Sequence, residues 1–111
     1  MTYKVEGTKP LQPQFSGQKS FYGKANVETI IMDDVTMFKL YSYGTYVAFV
    51  AVPVGAPEKK FAYVFNLHSR TTQKHIVEFL LQHNLKAESG KQIMKDYHEK
   101  YLPEEVSDDG S

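Results

Sequence analysis

The residues best equipped for chemistry lie close together, between His68 and His83. His68 and Ser69 are the only neighbouring imidazole and hydroxyl in the chain, the pairing that activates a nucleophile when the two groups meet. Side chains of consecutive residues rarely face each other, and no Gly-x-Ser-x-Gly elbow, Walker loop or dinucleotide fingerprint accompanies the pair. The expectation is a protein that is not an enzyme. His75 and His83 are eight residues apart, two turns along a helix and too far for one ion; Glu78 lies one turn from His75, but no third donor joins them. With no His-Glu-x-x-His spacing and no cysteine, neither a metal nor a cofactor is expected. On this reading His75 flanks an apolar stripe and His83 frays into solvent.

Binding chemistry is better represented. Arg70, Thr71, Thr72 and Lys74 stand where a helix begins, so a guanidinium, two hydroxyls, an ammonium and free N–H groups can meet a phosphate or a partner's carboxylate. The same residues also suit an ordinary capped helix start with solvated charges. Phe21, Tyr22 and Lys24 form a second cluster, able to stack on bases and touch a nucleic-acid backbone, or simply to close the edge of a sheet. Tyr41 and Tyr43, with Tyr46 and Tyr63, form a third, because tyrosine offers large contact area at low entropic cost.

These candidates need elements to hold them. Residues 69–84 read as an amphipathic helix capped by Thr71 or Thr72, with Asn84 suited to a left-handed end. At about 100° per residue, Ile76, Leu80, Val77, Leu81 and Phe79 make a wide apolar stripe, with Lys74, Glu78 and Gln82 opposite. A stripe that wide needs the face of a sheet. Four strands precede it: 26–32, 35–43, 46–52 and 61–67, parted by Asp33-Asp34, Gly44-Thr45 and the loop 53–60. Alternation places Thr36, Phe38, Leu40 and Ser42 on one face, and Phe38 and Leu40 are the better core candidates. Ser89 with Gln92 starts a second helix of about three turns, stopped by Pro103. The predicted architecture is α+β, a four-stranded antiparallel meander with one main helix on one face and a second short helix. Residues 1–19, broken by glycines and prolines, are expected to be an irregular arm, 20–102 the single domain, and 103–111 a flexible acidic tail.

Composition narrows the setting. The chain has 111 residues with 13 basic and 13 acidic side chains, so no overall field attracts nucleic acid or an anionic membrane. The ends differ in sign: Lys4, Lys9, Lys19 and Lys24 stand against Glu6, whereas Glu104, Glu105, Asp108 and Asp109 have no base beside them. No apolar run is long enough to span a membrane and no signal-peptide core opens the chain, so a cytoplasmic protein is expected.

Three stretches together resemble a known family: Ser20-Phe21-Tyr22-Gly23-Lys24-Ala25, then Leu40 to Ala48, then Ser69-Arg70-Thr71-Thr72 followed by His75-Ile76, Phe79-Leu80 and Asn84. They look like small proteins encoded by phages, plasmids and integrative elements of Gram-positive bacteria, and Ser-x-Thr-Thr-x-x-His-Ile-x-x-Phe-Leu is the most specific part. In that family the third and fourth strands are usually joined more briefly than by 53–60, and an aromatic usually stands near Leu67-His68. The resemblance implies a mobile-element setting, in which small proteins often act as accessory factors or as inhibitors of host defence, anti-CRISPR proteins among them. It leads to a protein that blocks a host defence nuclease of the Cas9 type, or its guide assembly, by binding in the bacterial cytoplasm. The alternative is a nucleic-acid-binding accessory protein using Arg70, Lys74 and Lys24. A homodimer through the sheet face is the third possibility.

Overall fold

Alternating apolar and β-branched residues between 25 and 64 build most of an antiparallel sheet, and the computed structural model describes it together with its helices over residues 3–102. The strands are β1 (Tyr3–Pro10), β2 (Ala25–Met32), β3 (Val35–Ser42), β4 (Thr45–Pro53) and β5 (Phe61–Val64), paired in sequence order as a meander. Two helices follow, α1 (Arg70–Gln82) and α2 (Gly90–Tyr97); one 3-10 turn, Pro57–Lys59, lies between β4 and β5 and another, Glu99–Tyr101, follows α2. The expected acidic tail, 103–111, and the stop at Pro103 lie outside the described residues.

The α+β class stands, but the sheet has five strands and not four. The extra strand is β1, inside the segment expected to be an irregular arm. It pairs with β2 from Tyr3 opposite Met32 to Pro10 opposite Asn26, and its register shifts between Val5 and Gly7. Gly7 has φ 139°, a conformation open to glycine, so the residue that reads as a breaker makes a bulge. Pro10 ends an edge strand, where a missing N–H is tolerated.

The hairpin turns are short. Tyr43 (φ 52°) and Gly44 (φ 80°) both lie in the left-handed region, as a two-residue hairpin turn requires, so Thr45 already belongs to β4. β5 is shorter than the predicted 61–67: Asn66 Oδ1 accepts the His68 N–H at 2.9 Å while His68 takes φ 57°, turning the chain toward α1. Ser69, not Thr71 or Thr72, caps α1; its extended backbone lets Oγ accept the Thr72 N–H at 3.2 Å. Asn84 does take the left-handed conformation, at φ 60°. Ser89 caps α2, which runs eight residues, about two turns instead of three. Gly90 lets the start of α2 lie close against Leu67 and the first turn of α1, since a Cβ there would be 2.9 Å from Leu67 Cδ1 and 3.1 Å from Gln73 Oε1.

One face of the sheet carries the core. Ala25, Leu40, Ala48, Val50, Ala62 and Val64 meet Ile76, Phe79 and Leu80 of α1 and Ile93 of α2, with Phe38 partly buried beside them. Burying each of the large α1 side chains contributes roughly 1.5–3 kcal/mol. Leu11 and Phe21, from the segment between β1 and β2, complete this core. Among the described residues no α-helix lies over the other face.

Candidate binding surfaces

Residues that alternate with the core positions point away from the helices. On that uncovered face rings touch in a continuous chain. Tyr41 lies 5.5 Å from Tyr46, Tyr46 lies 4.8 Å from Phe65, and Phe65 lies 5.0 Å from Tyr63. Phe49 sits among Phe61, Tyr63 and Phe65 at 6.0–6.2 Å, and Tyr101 closes the far end at 5.8 Å from Tyr63. Phe61 and Phe65 remain 43% and 38% exposed. Lys39 Nζ stands 5.2 Å above the Tyr46 ring, and the Tyr41 hydroxyl donates to Glu28 Oε1 at 3.1 Å. Burial, then the neighbouring Tyr41 and Glu28, push the Tyr46 phenol up to about 12, and burial with Glu28 also raises Tyr41. Both phenols therefore stay protonated near neutral pH. The short strand β5 is sealed at its outer edge, where His98 Nδ1 donates to the Val64 carbonyl at 2.9 Å and the ring stacks on Tyr63.

Tyr43 parts from this set. The left-handed turn swings it to the helix side, 5.8 Å from the His75 ring. The Phe21, Tyr22 and Lys24 cluster also divides: Phe21 is only 3% exposed, edge-on to His75 at 4.7 Å, while Tyr22 and Lys24 are exposed. Phe21 belongs to the core and offers no ring to a base.

The helix entrance is likewise split. Arg70, Thr71 and Lys74 are exposed, but Thr72 is only 4% exposed, with Oγ1 2.9 Å from Ser42 Oγ. Ser42 Oγ lies 2.8 Å from His75 Nδ1. A hydroxyl and an imidazole at that distance have the spacing of a nucleophile and its base. Both are buried, however, and Phe21 packs over the imidazole, so no substrate carbonyl fits beside them. The group serves as a polar tie between β3 and α1, and burial lowers the His75 pKa, keeping the ring neutral. The Ser69 hydroxyl, next to His68 in sequence, is occupied as the helix cap. His83, expected in solvent, instead packs at 4.7 Å on Phe38 and 5.1 Å on Phe79. Among the described residues no three metal-ligating side chains converge, and no helix is long and apolar enough to cross a membrane.

The least expected group is Glu78, placed on the polar side of the helix but only 1% exposed. Residues 12–18 cross over α1 there. Glu78 accepts the N–H groups of Gln14 at 2.8 Å, Phe15 at 3.0 Å and Ser16 at 2.9 Å, and the Gln82 amide donates to it at 2.7 Å. Burial alone would raise its pKa; the Gln82 amide and the three backbone donors outweigh burial and hold the carboxyl below the usual range. Beside this clasp opens a cavity of about 440 Å³ between Phe15 and the Arg70–Leu81 face of α1. The helical spacing shows which residues share that face, but nothing local in the sequence says that a loop covers it.

The sequence profile of a family of unknown function, DUF8033, matches residues 9–96. The chain belongs to that family. The DUF8033 match begins inside β1 and ends inside α2, so it takes in the Glu78 clasp and the ring-bearing face as far as Phe65, leaving out Tyr101. No curated protein and no solved structure matches the chain.

Proposed function

We propose that the protein is a non-enzymatic inhibitor that docks the uncovered face of its sheet on a host defence protein, with a Cas9-type effector or its guide assembly as target. The observation that supports this most is the chain of rings from Tyr41 to Tyr101, an aromatic surface on which no α-helix of the described residues packs. Tyrosine-rich surfaces of this kind give large contact area with little side-chain entropy to lose. The resemblance of Ser69–Leu80 to mobile-element proteins supports the setting, the cytoplasm of an infected or element-bearing bacterium. Glu104, Glu105, Asp108 and Asp109 add negative charge suited to the basic channel in which such effectors hold their guide. The test mixes the purified protein with effector before and after guide RNA. Complex formation and slowed target cleavage support the reading, whereas no complex in either order with unchanged cleavage overturns it.

A second reading has its own observation. Rings spread on a sheet with Lys39 over Tyr46 also suit stacked bases, which makes a nucleic-acid-binding accessory protein the alternative. That version requires affinity for single strands that falls steeply with salt. Zero net charge and the Glu28 carboxylate beside Tyr41 weigh against it. Self-association through the same face gives a particle mass that rises with concentration.

A further inference from the structure

The cleft on the outer side of α1 has two unlike ends. At one end Arg70 and Lys74, one turn apart on the same face, carry like charges side by side. Neither has an acidic partner within ion-pair distance among the described residues. The only acid in the lining, Glu78, is saturated by three N–H groups and an amide and does not pair with them. At the other end Val77 and Leu81 are half-exposed beneath Phe15, which is itself 60% exposed. One end of the cleft presents two cations and the other an apolar wall.

We propose that this cleft binds a single-chain fatty carboxylate, its head group between Arg70 and Lys74 and its chain along Val77 and Leu81 under Phe15. The cavity, about 440 Å³, falls within the size range of small-molecule sites. Along the helix axis Lys74 and Leu81 are roughly 10 Å apart, room for a medium-length chain. A saturated chain fits better than a peptide: Gln73 and Ser16 are the only uncharged polar residues in the lining, and a peptide brings an N–H and a C=O at every residue. The Glu78 clasp fixes residues 14–16 in advance, so little ordering is left to oppose binding. The site is separate from the ring-bearing face, and its test needs no protein partner.

The experiment is an NMR titration of the whole chain with decanoate, alongside decanol and acetate. Decanoate is expected to shift the Phe15 amide and the Val77 and Leu81 methyls saturably, with decanol and acetate about tenfold weaker or more. Replacing both cations at once, Arg70→Gln with Lys74→Gln, should weaken decanoate by a similar factor, and Phe15→Ser should weaken decanoate and decanol alike. All three side chains are exposed, so the variants keep the fold. The proposal is overturned by any of three results: no saturable shift at these residues, equal binding of decanol and decanoate, or decanoate affinity untouched by the double replacement. Shifts gathered on Phe49, Phe61 and Tyr63 instead would also overturn it.

Discussion

Changing Glu78 to glutamine removes a charge and little else, which makes it a direct probe of the clasp that holds residues 12–18 across α1. Gln14 N and Gln82 Nε2 bond to one carboxylate oxygen, while Phe15 N and Ser16 N lie within 3.0 Å of the other. Whichever way the new amide turns, one pair of donors faces an N–H₂ in place of an acceptor. Hydrogen bonds to charged groups contribute about 1.5–3 kcal/mol each, and water can reach the exposed Gln14 and Phe15 to replace part of that. The expected loss for Glu78→Gln is therefore about 2–3 kcal/mol at neutral pH, not the sum of four bonds. Urea denaturation measures it, and amide hydrogen exchange locates it at residues 14–16. Because the folded carboxyl lies below its ordinary 4.5, its contribution is present in full above that value and is lost as pH falls through the folded pKa. The difference between wild type and variant should close over that acid range. A loss within about 0.5 kcal/mol at neutral pH with unchanged exchange at 14–16 would refute the clasp.

Three further outcomes follow from the same structure. Phe79→Ala empties the centre of the helix-on-sheet contact and should cost about 3–5 kcal/mol in denaturant titration. Ser69→Ala removes the cap and should cost about 1 kcal/mol, whereas Thr71→Ala, whose exposed hydroxyl has no hydrogen-bond partner among the described residues, should stay within about 0.5 kcal/mol; thermal melts separate them. His75 is held below its ordinary 6.5 by burial, and His83 by burial and by Lys60. The unfolded chain thus takes up protons first, so stability should fall as pH drops through 6.5 and should fall less steeply in His83→Gln, as denaturation midpoints at pH 7.5 and 5.5 will show.

What the sequence revealed was whatever local periodicity controls. The helix, its end at Asn84, the strands from 26 to 64 and Leu40 as core follow from alternation and helical spacing. Ser42 was legible too, on the Phe38 and Leu40 face, since a hydroxyl on a buried face needs a partner; that the partners are Thr72 and His75 depends on how α1 is seated. β1 stayed hidden because Gly7 and Pro10 break ordinary strands yet fit a bulge and the end of an edge strand. Thr71 and Thr72 looked like caps because threonine is a good one, but Ser69 has the extended backbone and Thr72 is turned to the core. Glu78 was misplaced for a deeper reason: a helical wheel gives the azimuth of a side chain, not what crosses over it from a distance of 62 to 64 residues. The ring-bearing face is legible in part: alternation puts Phe61, Tyr63 and Phe65 on one side of the predicted fourth strand, but Tyr46 and Phe49 join them only when the strands pair, and Tyr101 only when the chain returns after α2.

In the proposed function the ring-bearing face is the docking surface. The most direct measurement is binding of a Cas9-type effector, by calorimetry and by target cleavage, to wild type and to a Phe61→Glu, Phe65→Glu variant whose replaced side chains are already partly in water. The expected result is a stable inhibitory complex with the wild type and at least about a tenfold loss of affinity in the folded variant. Equal affinity and inhibition for the two proteins, or no complex with either, would contradict it.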